Sequence, residues 1–443
     1  MSGTISHKNL TGADLHIPHM TNAGDPNGSL TGLLNQLCYD TTNKVWWINT
    51  NGATAWIKIL TSSLAVRDFI HDDGAGGKAI STMAFIPPFI TSGLPQAALN
   101  GLEMGNFFVD VYENSQPSAT SESRGVTSPN TPGTVAACSR PGVVPWTDID
   151  WQNARIAASN RVINGRACHL ITPYENASLL YLQLMSNFTV KGNNYNGRDV
   201  RDATTYDNYG IFDPVQPEYR TLTGTGPASW WSNGIPGAGI HGMVGNIYSW
   251  EDARFSNGLY QPKGYLNGAV TANSTKLLYD DNSLGDGPDI CHLMPGVYTI
   301  TDAINGNEDV TIARTIITGR FSGIAILASP LTLPHGDDCA IQLKNAVDIT
   351  VGEAGAWKAI GKLLEDDTSK KLAFPDKTDT TTHIATYLDS WYPKSIADCV
   401  LLRGGRWISA ADTRRGLLVN TSDTPVDIGD GIGFRSALSI GNL

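Results

Sequence analysis

Three features of this sequence predict an α+β fold, rich in short strands and carrying a few helices. Glycine supplies 46 of 443 residues while Asp, Glu, Lys and Arg together supply only 16%, a balance that suits many short strands joined by turns. Apolar residues alternate on a period of two in runs such as 84–90 and 106–112, as half-buried strands require. Two stretches near residues 150 and 175 place capping side chains ahead of apolar stripes at helical spacing. The length allows two or three domains, each with its own core.

The first unit spans residues 1–60. Lys44-Val-Trp-Trp-Ile48 and Thr54-Ala-Trp-Ile-Lys-Ile59 flank Asn49-Thr-Asn-Gly52, a β-hairpin pattern with Gly at the turn. A lone hairpin buries too little to stand by itself, so its three tryptophans need the next domain or copies of the same hairpin. Together with Leu10-Thr-Gly-Ala-Asp-Leu-His16, this hairpin resembles the virion-proximal segments of phage tail and head fibres. The resemblance implies a homotrimer that attaches to other virion proteins through residues 1–60. His16 and His19 are read as turn residues, with ligation around a three-fold axis as the alternative.

Residues 61–79 read as a linker. Its Gly76-Gly77-Lys78 is not a phosphate loop, because Ala79 stands where Ser or Thr would hold magnesium and no glycine stands at the loop's first position. Strand candidates Ala84-Phe-Ile-Pro-Pro-Phe-Ile90 and Asn106-Phe-Phe-Val-Asp-Val-Tyr112 follow, the prolines placing the former at an edge. Asp148 is positioned to cap a helix with Ile149, Ile156 and Ile163 on one face. Thr172-Pro-Tyr-Glu175 is a capping box with Pro at the first helical position, and Ala177, Leu180, Tyr181, Leu184 and Met185 extend one stripe. Between 256 and 396 the pattern gives strands at 297–300, 310–317 and 323–327. It also gives helical stripes through Ala354, Trp357, Ile360, Leu363 and Leu364 and through Ile384, Tyr387, Leu388 and Trp391.

The C-terminal runs are Val400-Leu-Leu-Arg-Gly-Gly-Arg-Trp407 and Gly431-Ile-Gly-Phe-Arg-Ser-Ala-Leu438. Arg403 and Arg435 lie among apolar residues, so each needs a carboxylate or carbonyl partner for its donors. With Pro141-Gly-Val-Val-Pro-Trp146, Leu170-Ile-Thr-Pro-Tyr-Glu175 and His241-Gly-Met-Val-Gly-Asn-Ile-Tyr-Ser-Trp250, these runs resemble, in order, the formylglycine-generating-enzyme-like branch of the C-type lectin fold. The resemblance covers roughly 80–190, 235–256 and 396–443. It implies a C-type lectin-like domain over 80–443, interrupted by an insertion at about 256–396. That branch holds oxidases and phage receptor-binding proteins, among them the major tropism determinants, whose variable residues lie between the two C-terminal runs.

Oxidases of the family carry two cysteines just after the Arg-Gly-Gly motif, where thiolates bind metal or attack. Ser409 and Arg414 occupy the matching positions, and no cysteine lies between Trp407 and Leu443. The oxidase reading therefore lacks its nucleophile, and no catalytic residue is assigned.

The other constellations carry less. The six cysteines have no zinc spacing and read as free thiols. Gly237-Ala-Gly-Ile-His-Gly242 follows a loop rather than a strand, which argues against a dinucleotide site. His335-Gly-Asp-Asp-Cys339 reads as a loop, and Asp280-Asp-Asn-Ser-Leu-Gly-Asp286 imitates a calcium loop, so structural calcium is the one cofactor left open. A net charge of -11 without Lys/Arg clusters argues against nucleic acid, and no run suits membrane insertion.

These features predict a phage virion adhesin, a tail or head fibre assembled in the host cytoplasm, that binds a host-surface protein or glycan. The predicted ligand-binding residues are Ser409, Asp412, Thr413, Arg414 and Arg415, polar and clustered between the core anchors Trp407 and Phe434. The alternative is a structural decoration or tail-assembly protein without receptor binding.

Overall fold

The computed structural model describes residues 20–443 apart from 34–36, 41–44, 50–52, 55, 60–63, 187, 217–218, 283–290, 350–356, 368, 377–388, 394–396 and 441–443. The chain divides into two compact units, Met1–Ser63 and Leu64–Leu443. In the first, Met20–Asn22, Leu37–Asp40, Val45–Asn49 and Trp56–Ile59 form a four-stranded sheet in that order. The last two strands pair antiparallel, with Trp46 opposite Ile59 and Asn49 opposite Trp56. The turn at 50–52, His16 and His19 lie outside the described residues.

The expected α+β class is overturned in favour of a mostly β architecture. Among the described residues there are two α-helices, α1 (Trp151–Asn160) and α2 (Pro173–Met185), beside a five-stranded sheet, an eight-stranded sheet and a closed six-stranded barrel. The stripe at 354–364 is not a helix where it is described. Lys358–Ala359 instead pairs antiparallel with Ser390–Tyr392, and Ile360, Leu363 and Trp391 are buried. Short apolar runs do not separate a period of 2 from one of 3.6, and here extended backbone won.

Helix α2 forms as its capping box dictates. Thr172 Oγ1 accepts from Glu175 N, Glu175 returns a carboxylate to Thr172 N, and Ala177, Leu180, Tyr181 and Leu184 are buried. Helix α1 starts two residues later than expected. Asp150 is the cap, accepting from Asn153 N at 2.8 Å, while Asp148 holds a positive φ of 58° and pairs with Arg124 at 2.7 Å. The delay turns the buried face to Trp151, Ala154, Ala157 and Ala158, and Ile163 lies beyond the helix in a short strand.

The stretch read as a linker contains strand Ala65–Asp72, paired along its length with Lys78–Ile86 at one end of the five-stranded sheet. Its charged residues are those of a solvent-facing edge strand, and Asp73 ties the hairpin turn by accepting from Ala75 N and Gly77 N. The stretch read as an insertion holds the barrel, built from Lys263–Leu266, Lys276–Asp280, Gly296–Thr301, Glu308–Ile317, Gly323–Leu327 and Ala340–Leu343. Leu266, Leu277, Tyr279, Tyr298, Ile300 and Ile341 are buried there. In the chain the barrel is flanked by Leu259–Tyr260 and Val347–Asp348, which pair antiparallel within the eight-stranded sheet.

Candidate binding face around the C-terminal motifs

Three of the singled-out runs become neighbouring strands. Tyr248–Ser256 pairs antiparallel with Asp398–Arg403 and parallel with Ile432–Phe434, setting Trp250 between Leu402 and Phe434. Behind them, Trp250 donates to Ile149 O at 2.9 Å, Trp151 to Glu251 O at 2.7 Å and Trp146 to Pro129 O at 3.0 Å. These three indoles thus fill the core with their N–H groups satisfied.

Both buried arginines find the partners their position demands. Arg403 Nε lies 3.0 Å from Glu251 Oε1, and its terminal nitrogens donate to Leu372 O and Ala373 O. Arg435 donates to Asp110 O at 2.6 Å and His241 O at 2.7 Å. Between them lies a small cavity lined by Glu113, Met243, Gly404, Gly416 and Phe434. Glu113 accepts from Asn246 Nδ2 at 2.8 Å through one oxygen, while the other has no hydrogen-bond partner among the described residues. Burial pushes its carboxyl up to about 7, against the opposing pull of Arg435.

The turn that follows Arg403 is held almost wholly by its backbone. Gly245 N donates to Gly404 O at 2.7 Å, Ala410 N to Asn194 O at 2.6 Å and Asn196 N to Trp407 O at 2.7 Å. Asn194 Nδ2 donates to Thr413 O at 2.6 Å. Asp389 accepts from the backbone N–H groups of Arg414, Arg415 and Leu417, the last at 2.9 Å. Burial pushes the Asp389 carboxyl up to about 6, the three amides working in the opposite direction. Gly416 is required here, since at φ +83° its Cβ would meet Met243 O at 2.4 Å.

The five predicted binding residues separate into distinct environments. Ser409 is buried and accepts from Arg406 N at 2.9 Å; Thr413 is buried and donates to Gly404 O at 2.9 Å. Asp412 is half-buried and accepts from Ser390 Oγ at 3.0 Å. Arg414 and Arg415 are half-buried, and neither guanidinium has a hydrogen bond or ion pair among the described residues. Trp407 and Phe434 are core, as expected.

Sequence reasoning missed the side chains that stand out beside this turn. Ile408 and Ile428 are about half exposed, and Tyr195, Phe212 and Tyr219 are 38%, 46% and 46% exposed. Arg198 lies 5.1 Å over the Tyr195 ring, and Phe212 meets Tyr219 edge-on at 5.9 Å. The available signal was aromatics scattered through an Asn/Gly-rich stretch, 192–221, where apolar periodicity is missing. Among the described residues no group of three or more His, Cys, Asp or Glu side chains is arranged to hold a metal. The calcium-like stretch lies largely outside the described residues. His335 sits instead between Asp302 at 3.3 Å and Glu308 at 3.1 Å. No described helix is long and apolar enough to cross a membrane.

No protein-family model matches the chain, and no curated protein matches it. Among solved structures it is similar to a major tropism determinant P3c variant, with 10% identity and TM-score 0.25 over 95% of this chain and 99% of that one. A major tropism determinant I1 variant gives 10% identity and TM-score 0.27 over 95% of this chain and 98% of that one.

Proposed function

We propose that this chain is a phage virion adhesin that binds a host-surface molecule through the face formed by the 404–416 turn and the 193–221 loops. The observation that carries the reading is a division of labour within the turn. Its backbone and inward residues, Trp407, Ser409 and Thr413, are committed to the fold, while Ile408, Arg414 and Arg415 make no side-chain hydrogen bond or ion pair among the described residues. Rigid loops carrying unspent apolar, aromatic and Arg side chains suit recognition, where such residues supply most of the binding energy. The sequence resemblance of the two C-terminal runs to phage receptor-binding proteins points the same way.

The reading has no catalytic component. At the positions of the oxidase thiols stand Ser409, whose hydroxyl serves a backbone amide, and Arg414. The first unit would assemble three copies and join them to the virion. Three sites on one fibre raise avidity by roughly 10² to 10⁴ where receptor spacing permits.

The test is binding of labelled full-length chain to intact cells of the strain on which the virion plaques, with Ile408→Asp and Tyr195→Ala as variants. Saturable binding that blocks infection and is weakened by both changes is expected. A chain that stays bound to virions yet never binds those cells is a structural component, and the adhesin reading is then wrong.

A further inference from the structure

We infer that the rings of Phe212 and Tyr219, flanked by Tyr209, form a stacking site for a neutral sugar of a host-surface glycan. The biological setting rests on the adhesin reading; the chemistry rests on the placement of the rings. Phe212 lies edge-on to Tyr209 at 6.1 Å and to Tyr219 at 5.9 Å, each pair inclined at 69°. It is seated on Gly197, where a Cβ would meet its ring at 2.2 Å, so that position must remain glycine. The segments that carry the rings are tied together, since Asp213 N donates to Arg220 O and Leu222 N to Ile211 O, each at 2.8 Å. Arg220 and Asp213, on those same segments, are buried and paired at 2.6 Å. The rings therefore stand on a fixed support whose own charges neutralise each other.

Backbone strain marks Tyr219 as more than packing. It holds a positive φ of 76°, a conformation that bulky L-residues avoid, and its carbonyl accepts from Asn193 Nδ2 at 2.8 Å. Glycine would sit there without strain, yet the position carries a ring that stays 46% exposed. Size and charge then select the occupant. At 46% exposure each, Phe212 and Tyr219 show roughly 90 Å² apiece, against the ~800 Å² a side that a stable protein interface covers, which suits one or two sugar rings. Asp207 is the one exposed charged residue between 191 and 221 among those described, and its negative sign opposes an acidic sugar. A pyranose turns a C–H face to the negative face of an aromatic ring and leaves its hydroxyls to water. With about a dozen heavy atoms, one such sugar binds at about millimolar Kd.

The experiment titrates the methyl glycosides of glucose, galactose and mannose against the full chain, with methyl glucuronide as the charged control. Magnetisation transfer from the protein to sugar C–H protons is the readout. Saturable binding of at least one neutral glycoside, tighter than that of the glucuronide, is expected. Phe212→Ala should weaken it by about tenfold or more. Tyr219→Gly should do the same without lowering the melting temperature, because relief of the positive φ offsets the lost ring contact. Binding of no neutral glycoside, or binding that survives both changes, overturns the site, and equal binding of the glucuronide overturns the choice of a neutral sugar. Host-cell binding that both variants lose, and that protease treatment of the cells removes while periodate oxidation does not, makes the occupant a protein and overturns the sugar assignment. A chain that binds host cells but none of the glycosides overturns this site and leaves the adhesin reading standing. A chain that binds a neutral sugar through these rings but no host cell does the reverse.

Discussion

Glu113 offers the sharpest physical test, because a buried carboxyl with one oxygen lacking a hydrogen-bond partner among the described residues must make stability depend on pH. Burial raises it from the ordinary 4.5 to about 7 in the folded chain, outweighing Arg435, the bond from Asn246 and Arg220. Between those two values the folded state keeps a proton that the unfolded state has lost. Its contribution to stability is therefore greatest below pH 4.5 and declines as pH rises to 7. At 1.36 kcal/mol per pH unit the decline amounts to roughly 3 kcal/mol. Glu113→Gln keeps the shape and the acceptor for Asn246 Nδ2 but cannot ionise. Urea unfolding of the wild type and variant at pH 5 and pH 8 should show the variant gaining on the wild type by about that amount. A difference that does not change with pH refutes the reasoning, because Glu113 would then be equally ionised in both states.

Trp407→Ala empties a fully buried indole site and should cost roughly 3 to 5 kcal/mol, read as a lowered melting temperature. Gly416→Ala drives a Cβ against Met243 O at a positive φ, and should destabilise the turn by roughly 1 to 3 kcal/mol; earlier cleavage by limited proteolysis after Arg414 or Arg415 is the readout. The full chain should be a trimer by light scattering and a chain starting at Leu64 a monomer. A monomeric full chain at micromolar concentration removes the fibre assembly proposed for residues 1–60.

What was legible in the sequence was local. The capping box of α2 needs only Thr172, Pro173 and Glu175, three residues apart at most, so its signal survives without tertiary context. The partners of Arg403 and Arg435 were foreseeable in kind, since an arginine among apolar residues has few ways to be buried. Their identities were not, because Glu251 and Asp110 lie far away in the chain. The start of α1 was misplaced because Asp148 and Asp150 look alike as caps in sequence, and what separates them is tertiary: Asp148 turns to a positive φ and pairs with Arg124. The α+β class failed for a related reason. Trp391 satisfies a helical stripe, but its strand is selected by partners such as Val419, which pairs with Trp391. The exposed aromatics at 195, 212 and 219 were illegible because hydrophobicity alone predicts burial.

The turn after Arg403 shows how one segment can be rigid and tolerant of change together. Its restraints fall on backbone atoms: Asp389 holds the N–H groups of 414, 415 and 417, Asn194 holds 410 and 413, and the 407 carbonyl is taken by Asn196. Any L-residue except proline, which lacks the N–H, supplies those atoms, so side chains at 408, 414 and 415 are otherwise free to differ without loosening the loop. Ser409 and Thr413 are not, because their hydroxyls bond Arg406 N and Gly404 O inside the fold. A library randomised at 408, 414 and 415 should therefore remain folded and soluble in most members, while the same library at 409 and 413 should not. If both libraries fold equally often, the backbone restraints alone fix the turn and the inward hydroxyls contribute nothing. If neither folds, the outward side chains are structural after all, and the binding face must lie elsewhere on the second unit.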